Sequence, residues 1–491
     1  MAVISPRGWS LDGLLHRGKN FIEVPRCRAD DPNLLERIAA FEQNGIPLII
    51  EGWHTLNSWP KELFTVDWLI EHLGKEEITV RDVNERSDYS ITLGEFIARS
   101  RETAARYRKD GSQQGHLYNK DAHCPTEWEE WVQEQHLPEV LCPGSRHDMI
   151  GCLTEAEQVE SLMCYLGIGG TFTPCHKDLC ASSGQNLMCY TEDRGSSFWF
   201  MTESQVAPEA AQFFWDHVGK HLDWEEHTAS IQDFANAPFT VYIAEQTLGD
   251  LVLVPPRSSH QVINSGGLTV KTSWSRMTVA GLETALYHEL PLYRRVCRHE
   301  QYRVKHILYR AVSAKTEELK RYHQNKEVSH PTLTMTQLRE LIRLFDVVLH
   351  EEYLQKHRDL RGTTRRTLGK KTSTSPSDED VTASSARVVP NTQLSNLACD
   401  FCGADIFQSF FECTNCQDKK ADVSDPMRVT VGNGLTLCPT CYVEGRTCNC
   451  GAMKTRQCRQ FIQILRERND AASVLNTVCP EQPAVICLDE K

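Results

Sequence analysis

SLMCYLGIGGTFTPCHKD, residues 161–178, decides how this chain is read. An apolar, β-prone run (161–168) meets a Gly-Gly turn, and a second run ends at His176 and Asp178. In an extended strand residues i and i+2 project from one face, so this imidazole and this carboxylate can converge on one point. Two ligands do not make a site. The best third candidate is His260 in LVLVPPRSSHQVINSGG (251–267), after an apolar strand and a Pro-Pro turn. Two imidazoles and one carboxylate, with other positions open, suit an Fe(II) that must still bind a cosubstrate and O₂. Alone, the HxD triplet is weak, because an N-capping Asp beside a core His gives the same letters.

The rest of the sequence bounds the reading. With 491 residues, two or three domains are expected. Hydrophobic content of 40% and charged content of 24% describe a soluble globular protein. A net charge of −13 argues against wholesale coating of nucleic acid, though it leaves room for a local basic patch. The N-terminus has no apolar run of signal-peptide length, and no segment approaches the roughly 20 apolar residues of a membrane span. Twenty cysteines without such a signal imply a reducing compartment. Eleven of them follow residue 398, which marks a domain boundary.

Short β-rich runs recur at 46–53, 77–82, 161–168, 197–202, 239–246, 250–255 and 268–274. Helical patterns lie at 65–74, 92–107 and 125–135. The expected fold is therefore mainly β, a barrel or sandwich with helical additions. Residues 284–355 read as a helical extension and 356–396 as a disordered linker, poor in large apolar residues. A cysteine-rich module follows at 397–460, then a tail at 461–491; residues 1–29 form an N-terminal segment.

SLMCYLGIGGTFTPCHKD and GDLVLVPPRSSHQVINSGGLTVKTSW (249–274) resemble the iron-binding strand and the distal-histidine strand pair of the JmjC Fe(II)/2-oxoglutarate oxygenases. The likeness runs over roughly 30–283, including NGIPLIIEGW and YNKDAHCPTEW. The His-Gln-Val at 260–262 and the insertion at 203–238 are most similar to the histone H3 lysine-9 demethylase branch. With its C-terminal cysteines, the protein resembles a fungal-type member with a zinc finger. The resemblance implies a double-stranded β-helix (a jelly roll of the cupin kind), with Fe(II) on His176, Asp178 and His260. It also implies 2-oxoglutarate as cosubstrate and, on an N-methyl group, demethylation by hydroxylation. Hydroxylation at a carbon of an amino-acid side chain would instead give a stable alcohol.

Cosubstrate contacts follow from the same resemblance. Thr173 takes the place of a Thr that commonly bonds the distal carboxylate. Many members carry a Lys on the next strand, where this protein has Ser197 and no Lys. A dicarboxylate without a cation binds poorly. Lys271 is the candidate replacement, sharing strand parity with Ser273; Arg194 is the weaker candidate because TEDRGSS reads as a turn. Asn186 and Tyr165 are further candidates for that pocket. Without a cation there, the domain is a chromatin-binding module that no longer turns over.

CDFCGADIFQSFFECTNC (399–416) and LTLCPTCYVEGRTCNC (435–450) supply Cys399, Cys402, Cys413, Cys416, Cys438, Cys441, Cys448 and Cys450. Three CxxC pairs and one CxC make eight thiolates, enough for two tetrahedral Zn²⁺. Spacing leaves the pairing open, with alternate knuckles joined as in cross-braced fingers as one solution. Residues 292–310 and 355–371 are cationic against an acidic background, and read either as a solvated face and linker or as DNA contacts. The expected location is the nucleus and the expected partner a histone tail or other chromatin protein; no membrane association is expected.

Overall fold

Eight strands form the centre of the first unit: β1 (Leu162–Gly167), β2 (Phe172–His176), β3 (Ser183–Thr191), β4 (Ser196–Met201), β5 (Val241–Gln246), β6 (Leu251–Val254), β7 (His260–Ser265) and β8 (Thr269–Arg276). They pair antiparallel in two sheets, ordered β6-β3-β8-β1 and β5-β4-β7-β2. Successive strands switch sheet at every connection except β4 to β5, which makes a jelly roll. The computed structural model describes residues 5–111, 114–134, 136–225, 227–325, 330–354, 397–413, 415 and 435–489.

Strand parity builds the layers. In β6 (LVLV), Leu251 and Leu253 face outward into a helical layer, while Val252 and Val254 face the barrel interior. Trp199, Met201, Tyr242 and Val262 fill that interior beside them. The helical layer holds Phe96, Trp128 and Leu69 from helices Leu93–Asp110, Thr126–Gln133 and Val66–Leu73. Two of these helices start where a Thr accepts from the backbone, Thr65 from Trp68 N and Thr92 from Glu95 N. The outer face of the other sheet (Phe198, Phe200, Ile263) is covered by Phe213, Phe214 and Phe234 of the 203–238 insertion. Each such residue contributes ~1.5–3 kcal/mol on full burial.

The N-terminal segment is part of this unit rather than a preface to it. Phe21–Glu23 adds to β5 in parallel, and Arg26–Arg28 runs parallel to Leu48–Glu51, which itself pairs with β6. The unit comprises Met1–Gly151 and Glu160–Gly281.

The second unit comprises Cys152–Val159 and Leu282–Lys491. Helices Val304–Asn325 and Pro331–Leu349 pack together, and Phe461–Val478 packs on both. Residues 461–478 are therefore not a tail. Ile464, Leu465, Ala471, Ala472 and Leu475 recur at helical spacing and are buried, and Arg468 forks onto Asp346 at 2.7 and 2.8 Å. The linker expected at 356–396 lies outside the described residues. Among the described residues no helix is long and apolar enough to cross a membrane.

In the same unit the strands Ser409–Glu412, Thr436–Leu437 and Lys454–Gln457 form the small sheet of the cysteine module. That module is tied to the helical extension. Glu300 N donates to Gly403 O (2.9 Å), Asp405 N to Glu300 Oε2 (3.1 Å) and Arg303 Nε to Asp405 Oδ1 (3.0 Å). His306 donates from Nδ1 to Asp405 at 2.6 Å and accepts on Nε2 from Arg303 and Arg459; burial pushes its pKa down to about 4, so the ring is neutral. The basic stretch 292–310 is only partly a solvated face. Arg303 meets Asp405, Lys305 meets Glu351 and Glu352, and Arg310 forks onto Glu157.

Candidate metal and cosubstrate sites

His176 closes β2 and His260 opens β7, and the two are direct register partners in the antiparallel ladder. Their ring centroids are 4.1 Å apart. Asp178 lies two residues beyond His176, with its Oδ1 3.7 Å from His260 Nε2. One ligand atom from each of the three falls within 4.8 Å of the others. Donors bonded at ~2.0–2.2 Å to one ion stand about 3–4 Å apart, a spacing the Asp178–His260 pair already has.

Three local features suit this donor set to a divalent ion. His176 Nδ1 is 2.8 Å from Pro174 O, and His260 Nδ1 is 3.1 Å from Ser258 O. A carbonyl only accepts, so each Nδ1 carries the proton and each Nε2 keeps the lone pair that a metal takes. Asp178 stands at the start of the turn Leu179–Ala181 but makes no capping bond there, so the N-cap alternative fails. Gly184 makes the room that Asp178 occupies, since a Cβ at Gly184 would sit 2.2 Å from Asp178 Oδ2. The two residues that reverse the backbone, Cys180 and Ala181, have φ of 54° and 56°, a left-handed pair that non-glycine residues adopt at a cost of ~1–3 kcal/mol each.

Thr173 is three residues from His176, which in a regular strand places it on the opposite face. The ladder shows otherwise: His260 pairs with His176 and Val262 with Thr173, so two residues of β7 span three of β2. This bulge flips the parity and turns Thr173 inward with the ligand. Thr173 Oγ1 is 3.3 Å from the Tyr118 hydroxyl. Burial raises the Tyr118 pKa, keeping the phenol a donor.

Lys271 is fully buried on β8, and its Nζ donates to Ser197 Oγ (2.8 Å) and Asn264 Oδ1 (2.7 Å). The ammonium is thus delivered to Ser197, near the position where the resemblance implies a Lys. Ser197 Oγ donates to Asn264 Oδ1 at 2.7 Å, and Asn264 Nδ2 donates to Thr171 Oγ1 at 2.8 Å. Gly167 leaves space for this network, since its Cβ would meet Thr171 Oγ1 at 2.5 Å and Asn264 Nδ2 at 2.6 Å. Burial lowers the Lys271 pKa to about 7.

The hydrogen bonds of the remaining candidates run to other partners. Tyr165 is the register partner of Lys271, but its hydroxyl donates to Asp121 Oδ1 at 2.7 Å. Asn186 and Ser273 are partners across β3 and β8; Asn186 accepts from Gln246 Nε2 (3.1 Å) and Ser273 donates to Gln185 O (2.8 Å). Arg194 lies in the β3–β4 turn with φ of 58°. Sequence reasoning passed over Tyr118, Asn264 and Gly184. Parity offered a signal for Asn264, which follows His260 and Val262 by steps of two.

In the second unit Cys399, Cys402, Cys438 and Cys441 form one buried tetrad, and Cys413, Cys448 and Cys450 form a second group. Knuckle one joins knuckle three, and knuckle two joins the CxC, which is the cross-braced solution. Cys402 and Cys438 sulfurs are 3.8 Å apart, and Cys450 Sγ is 3.5 Å from Cys413 Sγ and 3.4 Å from Cys448 Sγ. Cys416 lies outside the described residues. Four buried sulfurs in one cluster fit a tetrahedral zinc site.

Two comparisons bear on these sites. A family model described as "JmjC domain, hydroxylase" matches residues 163–275. "C-module-binding factor A" of Dictyostelium discoideum is 25% identical over 440 residues, which is 88% of this protein and 40% of that relative. The protein thus spans well under half of that relative's length, while the likeness reaches far beyond the matched domain. The jelly roll, the inward triad and the family match agree, and residues 163–275 form a JmjC domain.

Proposed function

We propose that this protein is an Fe(II)- and 2-oxoglutarate-dependent oxygenase acting on chromatin in the nucleus. Its most specific form is the removal of N-methyl groups from histone lysine, in the manner of the H3 lysine-9 branch. The observation that carries the reading is Lys271 Nζ at Ser197, which supplies the missing cation inside the barrel that holds the triad.

His176, Asp178 and His260 would hold the ion through two imidazoles and one carboxylate. Bound Fe(II) with 2-oxoglutarate supplies O₂-dependent C–H hydroxylation, which on an N-methyl group ends in release of formaldehyde. Lys271 pairs with the distal carboxylate of the cosubstrate, and Asn264 and Ser197 aim its ammonium. The Thr173 and Tyr118 hydroxyls stand beside that network as further donors. Trp199, Met201 and Val262 line the interior and exclude water from it. Two Zn²⁺ would bind the cysteine module, one on Cys399, Cys402, Cys438 and Cys441, the other on Cys413, Cys416, Cys448 and Cys450.

Succinate release with added iron tests the reading. Wild type turns over and His176→Ala does not; a wild type that binds iron but releases no succinate overturns it. Formaldehyde from methylated H3 peptides then separates demethylase from side-chain hydroxylase. The relative's name, a binding factor, favours a second reading, a chromatin-recruitment protein. DNA contact through 292–310 and 355–371 belongs to that reading. In the first segment it falls to cations other than Arg303, Lys305 and Arg310.

A further inference from the structure

Three residues that neighbour the triad in sequence are bound to the 203–238 insertion. Lys177, between His176 and Asp178, has a side chain only 2% exposed, and its Nζ is 3.0 Å from the equally buried Asp223 Oδ1. Asp223 belongs to the turn Leu222–Trp224. Gln261, next to His260, makes a two-way amide pair with Ala229: its Nε2 donates to Ala229 O (2.9 Å) and its Oε1 accepts from Ala229 N (2.8 Å). Cys175 N, one residue before His176, donates to His227 O at 2.9 Å. Both ligand-bearing strands are therefore gripped from behind by Asp223, His227 and Ala229 of one insertion.

The chemistry favours a positioning role over general stability. A lysine at an alternating position beside a metal site has no need of burial, and burying an ion pair is weakly stabilising at best compared with apolar packing. Its geometric effect is specific: it fixes the backbone between two ligands, while Gln261 fixes the backbone after the third. Phe213, Phe214, Leu222 and Phe234 anchor the insertion itself in an apolar core against the sheet. We infer that the insertion is a clamp, in which Lys177–Asp223 and Gln261–Ala229 set the spacing of His176, Asp178 and His260; this rests on the triad reading above.

The test uses the full-length, zinc-replete protein with Mn(II) as the probe, its binding followed by electron paramagnetic resonance. Wild type binds Mn(II) and His176→Ala does not. Asp223→Asn and Gln261→Leu each weaken Mn(II) binding by ~10–100-fold, the usual effect of losing a group that orients a ligand, and broaden the bound Mn(II) spectrum. Lys177→Arg, which keeps the pair, retains wild-type affinity. If Asp223→Asn does not fold, Gln261→Leu carries the decision. Folded variants with wild-type affinity and spectrum overturn the clamp alone. A wild type that binds no Mn(II) overturns the triad reading, and the clamp with it.

Discussion

The two candidate metal centres are built by opposite means. In the cysteine module the donors come as knuckles two or three residues apart, and the thiols themselves form part of the small apolar cluster with Leu437. In the barrel the donors come from a strand end, the turn after it and a distant strand, set on a scaffold with extensive cores of its own. A module whose core beyond its ligands is this small needs the metal to fold. A site carried by a finished sheet needs the metal only to react.

Stripping the zinc breaks or confirms that contrast with the largest effect. The ~10–16 kcal/mol of structural zinc binding is folding free energy, so chelation should remove hydrogen-exchange protection from 399–412 and 435–457 while β1–β8 keep theirs. Equal loss in both regions would erase the distinction. Gly184→Ala comes next: the new methyl lands on Asp178 Oδ2, and Mn(II) affinity should fall at least ~100-fold with the melting temperature little changed. Lys271→Met should raise the KM for 2-oxoglutarate ~10–100-fold, the value of a hydrogen bond from a charged group at ~1.5–3 kcal/mol, with a smaller change in kcat. An unchanged KM would remove Lys271 from the pocket.

The same lysine sharpens the comparison by pH. Its pKa is lowered to about 7 by burial, so the free site is a cation below pH 7 and increasingly neutral above it. The KM for 2-oxoglutarate should rise with pH above 7, by up to about tenfold per unit, until the higher pKa of the bound complex is reached. Linkage has its own sign. Between about pH 7 and the ordinary lysine range the unfolded state binds the extra proton, so the apo barrel gains stability as pH rises. A flat profile in both measurements would place the ammonium in a polar, wet setting. The smallest effect belongs to Thr173→Val, a few-fold in KM, because one neutral hydrogen bond is worth ~0.5–1.5 kcal/mol.

Residues 161–178 and 249–274 were legible because both periodicities there are short-range. The unbroken apolar run LVLV marks a strand buried on both sides, and His-x-Asp puts two donors on one side. The cysteine knuckles were legible for the same reason. Residues 461–478 were misjudged as a tail because their apolar positions bury only against helices far away in sequence.

By itself, then, the sequence determined the donor types, the β character of 161–276 and the local knuckles, all properties of residues within a few positions of one another. Tertiary structure alone decided three things. The bulge in β2 turns Thr173 to the side of His176. The Lys271 ammonium arrives at Ser197 from another strand. Alternate knuckles, rather than successive ones, share a site. Each depends on which ladder register pairs two distant segments, and a shift of one residue sends a side chain to the other face.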